Sequence, residues 1–150
     1  MTMSALYAEH APAVYRCLLA WTRNPSLAEE LTAETFYRAI VADQPVRAAT
    51  ARGYFLAIAR NACRKHHARH SRQQPLHPDA PAPAANGDAL LDLQRTLDAL
   101  AALPADLREP LVLYAQGGLA YDEIAAQLNL TLATVKIRIH RARLRLEPFR

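Results

Sequence analysis

The first 72 residues place their apolar side chains at the spacing expected of three α-helices. Asn24-Pro25 ends the first helix and opens the second, because asparagine is a good N-cap and proline fits the first helical position. The third helix is predicted to begin near Thr50. Three such helices can bury a modest core, enough for a small independent domain. The apolar residues predicted to face this core are Tyr7, Ala11, Val14, Leu18 and Trp21, then Leu27, Leu31, Phe36 and Ile40, then Tyr54, Phe55, Ile58, Ala59 and Ala62.

A proline-rich segment follows the third helix. Residues 73–87 contain four prolines among alanines, and proline neither continues a helix interior nor donates a backbone hydrogen bond. We therefore predict a flexible linker over residues 73–87, between one helical domain in residues 1–72 and a second in residues 88–150.

The second domain begins with two predicted helices. Asp88 is expected to cap the first of them, and Pro104 ends it. The next starts near Asp106, so that Pro110 falls in a first turn whose amides need no intrahelical partner, and Gly117-Gly118 provides its stop. The apolar residues of these two helices are Leu90, Leu93, Leu97, Leu100 and Leu103, then Leu111, Val112 and Tyr114.

Residues 120–146 have the pattern of a helix-turn-helix, a motif that places its second helix in the major groove of DNA. Asn129 stands where the turn needs a left-handed residue, and Thr131 is expected to cap the second helix. The N-terminal end of that helix would meet base edges, while its outer arginines hold phosphates. The alternative is a basic, solvated face on a structural helix pair. Its predicted buried residues are Val135, Ile139, Ala142 and Leu146, and its projecting residues are Thr134, Lys136, Arg138, Arg141 and Arg145.

The composition favours an all-α fold. Hydrophobic residues make up 51% of the chain, and few glycines and no alternating β-branched run are present from which strands could form. No apolar run approaches the roughly 20 residues that span a bilayer, and no basic segment of a signal peptide precedes the first helix. We therefore expect a cytoplasmic protein without membrane insertion. Cys17 and Cys63 lack metal-binding spacing and are expected to be small core residues.

The net charge of +4 is divided into blocks of alternating sign. Residues 1–43 carry −2, residues 44–78 carry +7 without any acidic residue, residues 79–131 carry −6, and residues 132–150 carry +5. Two separated basic blocks predict two contacts with a polyanion, and nucleic acid is the natural polyanion for a cytoplasmic protein.

One histidine cluster is the only feature that suggests a metal site or an enzyme. His66 and His70 share a helix face at metal-ligand spacing, and His67 lies beside them. No carboxylate lies in the same block, and no nucleophile-base pair or phosphate-binding glycine loop occurs elsewhere. We therefore expect no cofactor, no metal and no catalytic residue, and interpret these histidines as part of a basic, DNA-facing helix.

Both halves of the chain resemble the extracytoplasmic-function (ECF) RNA polymerase sigma factors. Residues 120–143, AYDEIAAQLNLTLATVKIRIHRAR, are similar to region 4 of that family. Many response regulators end in a similar helix-turn-helix, but the N-terminal half separates the two classes. There, LYAEH (6–10) and AEELTAETF (28–36) resemble regions 2.1 and 2.2, and YFLAIARN (54–61) resembles the start of the promoter-melting helix.

This resemblance implies a protein that binds RNA polymerase core through region 2, in residues 1–72, and reads promoter DNA through both domains. It also implies a contact with the polymerase flap and control by an anti-sigma factor. The residues implied to bind the clamp helices of the largest polymerase subunit are Glu30, Glu34 and Arg38. Those implied at the minus-10 element are Asn61, Arg64, Lys65 and Arg69, and those at the minus-35 element are Thr131, Thr134, Lys136, Arg138 and Arg141.

The chain departs from the usual pattern of this family at four positions. Ala33 stands where glutamine is usual, Tyr54 where tryptophan is usual, Lys65 where an acidic residue is usual, and Ile137 where a small polar residue is common. The alternative interpretation is a helix-turn-helix regulator whose N-terminal half serves dimerisation or sensing and does not bind polymerase directly.

Overall fold

The computed structural model describes residues 2–73 and 87–147. Over these two ranges the regular secondary structure is helical throughout, without a strand, which confirms the predicted all-α fold. The helices are α1 (Met3–Thr22), α2 (Pro25–Ala42), α3 (Ala51–Gln73), α4 (Gly87–Ala102), α5 (Ala105–Ala115), α6 (Tyr121–Leu128) and α7 (Leu132–Leu146), with a 3₁₀ turn at Ala48–Thr50. None of the described helices is long and apolar enough to cross a membrane.

The chain divides into two compact units, Met1–Ala82 and Pro83–Arg150. Gln73 and Gly87, the two ends of the predicted linker, belong to α3 and α4, and the rest of that segment lies outside the described residues. The expectation that Asp88 caps α4 is wrong, because α4 begins at Gly87 and Asp88 is its second residue.

Local side-chain chemistry sets the boundary between α1 and α2, as predicted. The Asn24 side chain accepts a hydrogen bond from the backbone N–H of Leu27 at 3.2 Å, and Pro25 is the first residue of α2. Arg23 and Asp43, which end α1 and α2, both have left-handed backbones, with φ of 57° and 51°. The chain therefore reverses sharply after each helix, and α1, α2 and α3 pack against one another.

Phe55 on α3 is the largest fully buried side chain of this first unit. Its ring centroid lies 4.6 Å from that of Phe36 on α2 and 5.7 Å from that of His10 on α1. Burying one such side chain stabilises a fold by about 2 kcal/mol. Other buried residues around it are Leu6, Val14, Cys17, Leu18, Leu31, Leu56, Ala59, Ala62 and Cys63.

The face that α2 buries differs from the predicted one. Ile40 was expected in the core but is 57% exposed. Thr32 and Thr35 instead occupy core positions of α2. Their hydroxyls donate hydrogen bonds to the carbonyls of Ala28 and Leu31, each at 2.7 Å. A hydroxyl satisfied in this way can be buried without an unpaired polar atom. The α2 helix therefore buries Ala28, Thr32, Thr35 and Ala39 beside Leu31 and Phe36, and exposes several other large side chains.

The buried face of α1 is also shifted from the prediction. Tyr7 is 49% exposed, with its ring packed edge-on against Phe36 at a centroid distance of 4.9 Å. Leu6 and His10 hold the inner positions instead, which leaves the Tyr7 ring at the edge of the core. Ala11, Trp21, Leu27, Tyr54 and Ile58, all predicted core residues, are half-buried.

Both cysteines are buried and neither forms a disulfide, as expected for core residues. Burial raises the pKa of the Cys17 thiol to about 12, more than the nearby arginines Arg16 and Arg52 lower it. The thiolate, which is the reactive form, is therefore disfavoured at this position.

A buried polar link joins α1 to the start of α3. The Nε–H of Arg52 donates to Nδ1 of His10 at 3.1 Å, and Nε2 of His10 lies 3.7 Å from a carboxylate oxygen of Glu9. Because Nδ1 accepts this hydrogen bond, it carries no proton, and the His10 side chain is in its neutral form. Burial first and the charge of Arg52 second lower the pKa of His10, while Glu9 acts in the opposite direction.

In the second unit, α5 packs against α6 and α7, and α6 packs against α7. The guanidinium of Arg108 donates to the backbone carbonyls of Ala101 and Leu103, at 3.1 and 3.0 Å, and so satisfies the end of α4. The α5 helix ends just before the predicted glycines, Gly117 and Gly118, and Gly118 has a positive φ of 72°. The largest buried residues of this unit are Leu113, Leu119, Ile124, Ile139, Val112 and Val135.

Pro110 was expected in the first turn of α5, and this was wrong. The helix begins at Ala105, so Pro110 is its sixth residue and cannot donate to the carbonyl of Asp106. The ring is fully buried among the apolar residues of the unit. The helix continues through it, because ring burial offsets part of the lost hydrogen bond.

The His10–Arg52 link predicts a specific pH dependence of stability. The unfolded chain takes up a proton on His10 near pH 6.5, whereas the folded state resists it to lower pH. The contribution of His10 to the free energy of unfolding is therefore complete above about pH 6.5. It is lost as the pH falls toward the lowered pKa of the folded state, by at most about 1.4 kcal/mol for each pH unit. Urea unfolding at several pH values measures this free energy. The fluorescence of Trp21, the single tryptophan, monitors the unfolding of the first unit.

The matched control is His10→Asn, because an asparagine oxygen can accept the Arg52 hydrogen bond and does not titrate. We expect this variant to lose most of the pH dependence between about pH 5 and pH 7. Equal pH dependence in the two proteins would contradict the assignment to His10.

Candidate nucleic-acid interface

The turn between α6 and α7 has the geometry that the sequence predicts. Asn129 is left-handed, with φ 59° and ψ 46°, a conformation that asparagine adopts more easily than most residues. The backbone N–H of Leu130 then donates to the carbonyl of Ala125 at 2.9 Å, which closes the end of α6. The two helices are therefore held in a helix-turn-helix.

Thr131 caps α7, as predicted. Its hydroxyl oxygen accepts a hydrogen bond from the backbone N–H of Thr134 at 3.1 Å, and the hydroxyls of Thr131 and Thr134 lie 2.8 Å apart. At the start of α6, the backbone N–H of Ala120 donates to the Glu123 carboxylate at 2.8 Å. The cap orders the first turn of α7, the end that a recognition helix would present to bases.

The α7 helix separates a buried row from a basic, solvent-facing side. Val135, Ile139 and Ala142 are buried against the rest of the unit, and Leu146 is half-buried. Of the five residues predicted to meet the minus-35 element, Thr131, Lys136 and Arg141 are exposed, and Thr134 and Arg138 are half-buried. The structure brings all five onto one helix and its cap.

Arg143 has a different position from the other basic residues of α7. Its guanidinium carbon lies 5.3 Å from the ring centroid of Tyr114 on α5, in cation–π range. The Tyr114 ring in turn lies 4.9 Å from that of Tyr121 on α6. Arg143 therefore links α7 to its neighbours, a role that its charge alone does not reveal in the sequence.

A second basic face lies on α3 in the first unit. Asn61, Arg64 and Lys65 are exposed, and helical geometry places them opposite the buried side formed by Phe55 and Ala59. Arg69, the fourth residue predicted at the minus-10 element, is exposed one turn further along. Because residues 44–78 include no acid, no carboxylate close in sequence neutralises this face.

The predicted polymerase-binding residues lie on the outer side of α2. Glu30 and Arg38 are exposed, and Glu34 is half-buried. The Nε–H of Arg38 donates to Oε2 of Glu34 at 2.9 Å, and in this i,i+4 ion pair the side chains of Arg38 and Glu34 are 43% and 36% exposed. Such surface pairs contribute about 0.5 kcal/mol or less. The pair orients Glu34 more than it stabilises the fold.

Three large apolar residues on this same side of α2 are absent from the predicted site. Tyr37, Ile40 and Val41 are 66%, 57% and 60% exposed. They are neighbours at i, i+3 and i+4 and adjoin Arg38. We refer to Tyr37, Ile40 and Val41 as the α2 apolar patch. The sequence could have indicated it if Ala28, Thr32, Thr35 and Ala39 had been recognised as the core positions of this helix.

The structure describes the histidine cluster only in part. The rings of His66 and His67 lie 6.2 Å apart at an angle of 71°, and the side chain of His70 lies outside the described residues. Within the part of the chain that the structure describes, no group of three or more His, Cys, Asp or Glu residues could hold a metal ion.

Comparison with protein families matches both units separately. Residues 6–73 match Sigma-70 region 2, and residues 93–146 match Sigma-70, region 4. The two regions therefore occur in one chain, in this order, and cover most of it.

Several curated proteins are similar to this chain over most of its length. It is 35% identical to the RNA polymerase sigma factor CarQ of Myxococcus xanthus, over 91% of this chain and 82% of CarQ. It is 34% identical to the ECF RNA polymerase sigma factor SigE of Mycolicibacterium smegmatis, over 96% of this chain but only 60% of SigE. It is 29% identical to the ECF RNA polymerase sigma factor SigM of Bacillus subtilis, over 98% of this chain and 94% of SigM.

Two solved structures have a similar fold. One is the sigma factor RpoE of Bartonella quintana, in complex with the anti-sigma factor NepR, with a TM-score of 0.81 and 26% identity over 97% of this chain and 94% of that one. The other is CnrH, in complex with the cytosolic domain of CnrY, with a TM-score of 0.73 and 25% identity over 98% of this chain and 86% of that one.

Proposed function

This chain belongs to the ECF RNA polymerase sigma factors, and we propose that it binds RNA polymerase core and directs it to specific promoters. The observation that carries this proposal is the presence of region 2 and region 4, in that order, in one chain. Within this function we assign residues 1–72 to core binding and the minus-10 element, residues 88–150 to the minus-35 element, and residues 73–87 to the linker.

The outer side of α2 is the surface we assign to the polymerase. Glu30 and Glu34 present carboxylates there, and the α2 apolar patch adjoins them. Protein interfaces combine an apolar centre with charged residues that set orientation. The clamp helices of the largest polymerase subunit are the proposed partner, with Arg38 holding Glu34 in place.

The basic side of α3 is assigned to the minus-10 element. Asn61, Arg64, Lys65 and Arg69 are all exposed, and this helix is long enough to follow several nucleotides. Opening a base step costs a few kcal/mol, which contacts to the exposed single strand can offset. The proposed melting therefore needs binding energy and no nucleotide hydrolysis.

The cap and outer side of α7 are assigned to the minus-35 element. Lys136 and Arg141 are exposed, and the Thr131 cap orders the end that would enter the major groove. Binding should weaken steeply with salt, because each neutralised phosphate releases counterions.

A groove in the second unit is the surface we assign to the polymerase flap. It encloses about 550 Å³ between α4, α5 and α7, with an apolar floor that includes Leu100, Leu111 and Val112 and a polar rim that includes Asp92 and Arg143. An apolar groove of this kind accepts an amphipathic helix or loop of a partner.

We also propose that an anti-sigma factor controls this protein. Both solved structures described above contain a second protein in complex with the similar chain, and in one of them the two are named a sigma factor and an anti-sigma factor. Co-purification from cells would identify such a partner.

Charge reversal on α2 tests the proposed polymerase contact. We expect Glu30→Lys with Glu34→Lys to weaken binding to core polymerase by at least about tenfold, because two carboxylates at an interface become repulsive cations. Fluorescence anisotropy of the labelled chain with core polymerase measures the affinity, and run-off transcription from a promoter library reports whether initiation is lost.

Glu29→Lys is the matched control, since the same change is made on the same helix. Glu29 faces Tyr15 of α1, whose pKa is raised by burial and then by the Glu29 charge. We expect this variant to bind polymerase within about twofold of the unchanged chain. If the unchanged chain fails to bind core polymerase but binds DNA, it is instead a regulator that acts without direct polymerase contact.

Removing one arginine from α7 tests the minus-35 assignment. We expect Arg141→Ala to weaken binding to duplex minus-35 DNA by about tenfold, consistent with the loss of a base or phosphate contact. Arg143→Ala removes the same charge from the same helix, but the Arg143 side chain packs over Tyr114, so we expect a loss of about twofold or less. Gel-shift titrations at two salt concentrations measure both; equal losses would contradict the assignment.

A further inference from the structure

Ile137 is an aliphatic side chain in the middle of the basic, solvent-facing side of α7. It is 50% exposed, and helical geometry places it on the side opposite the buried row of Val135, Ile139 and Ala142. A single exposed aliphatic residue is ordinary on a protein surface and needs no explanation. Ile137 is of interest because of its position among basic residues on the helix proposed to bind DNA, and not because it is exposed.

The neighbours of Ile137 on this side are polar or small. Lys136 precedes it, His140 and Arg141 follow one turn later, and Ala133 lies one turn before; all four are exposed. The C-terminal block of the sequence, residues 132–150, has a net charge of +5. A nucleic-acid duplex is the partner whose charge complements this surface.

The chemistry of the major groove restricts what Ile137 can contact there. Guanine, adenine and cytosine present hydrogen-bonding groups at their major-groove edges, whereas thymine also presents a methyl group. An aliphatic side chain placed against a donor or acceptor would remove its water without replacing the hydrogen bond, which is unfavourable. Against a thymine methyl, the same side chain buries apolar surface on both partners.

We infer that Ile137 contacts the 5-methyl group of a thymine in the minus-35 element and so selects a T·A pair at one position. This inference rests on the proposed function, because it requires α7 to enter the major groove of promoter DNA. It concerns a residue at which this chain differs from the small polar residue common in the family.

Leu144 provides a matched comparison on the same helix. It is 51% exposed, and it lies two turns further on. There it borders a cleft lined by Pro104 and Leu107 of its own unit. It therefore has the exposure and the aliphatic character of Ile137 without its place in the N-terminal half of the helix.

The test is the removal of single methyl groups from the DNA. The full chain, assembled with core polymerase, first selects its promoter from a randomised library. Each minus-35 thymine of the selected duplex is then replaced by deoxyuridine, which lacks only the methyl group. We expect replacement at one thymine to weaken binding about fourfold, the effect of burying one methyl group.

Two protein variants then identify the side chain that contacts the thymine methyl group. In Ile137→Ala the same deoxyuridine replacement should weaken binding less than about twofold, whereas in Leu144→Ala the fourfold effect should persist. Circular dichroism checks that both variants keep their helix content. A library selection with Ile137→Ala should also lose its preference for T·A at that one position.

Three outcomes would overturn the inference. Binding that is insensitive to deoxyuridine at every minus-35 thymine would show that no methyl group is read. A methyl effect that persists in Ile137→Ala would assign it to another residue. If the assembled polymerase selects no promoter at all, the proposed function itself fails, and this inference fails with it.

Discussion

The close packing of α2 against α1 and α3 determines which surfaces the first unit can present. Small residues on the inner side of α2 allow this approach, and Thr32 and Thr35 bury their hydroxyls by donating to carbonyls of the same helix. Phe36 and Leu31 remain in the core, while Tyr37, Ile40 and Val41 are directed outward with the acidic side chains. A helix buried in this way can offer an apolar patch to a partner without weakening its own core.

In the second unit, a few local contacts determine which side of α7 is exposed. The α6 helix has only 8 residues, so its orientation relative to α7 depends on the turn between them. The left-handed Asn129 and the Thr131 cap set that turn locally, while Arg143 over Tyr114 joins α7 to α5. The buried residues of α7, Val135, Ile139 and Ala142, lie on the side of the helix opposite Ile137, which leaves most of its basic residues exposed.

Most of this fold follows from local sequence signals, and the exceptions have identifiable causes. Asn24, Asn129 and Thr131 were placed correctly, because caps and left-handed turns depend on neighbouring backbone groups. Ile40 was misplaced, since hydrophobicity alone assigns a large aliphatic residue to the core ahead of a threonine. The α2 apolar patch was missed for the same reason. The roles of individual residues in binding remain predictions, since a spacing pattern does not distinguish a basic residue that binds DNA from one, such as Arg143, that packs on a tyrosine.

The distribution of charge also limits how such a protein can be specific. Arginine and lysine on α3 and α7 attract any nucleic acid, because phosphates are the same in every sequence. Under the proposed function, selection of a promoter would therefore come from side chains that distinguish base edges, for which we propose arginines that bind bidentately, the amide of Asn61, and the neutral groups of Thr134 and Ile137. Asn61 lies among the basic residues of α3, and Ile137 lies among those of α7. If both helices bind DNA as proposed, the cations on each would supply affinity that depends on salt, and the neutral residue among them would discriminate between bases in a way that salt affects far less.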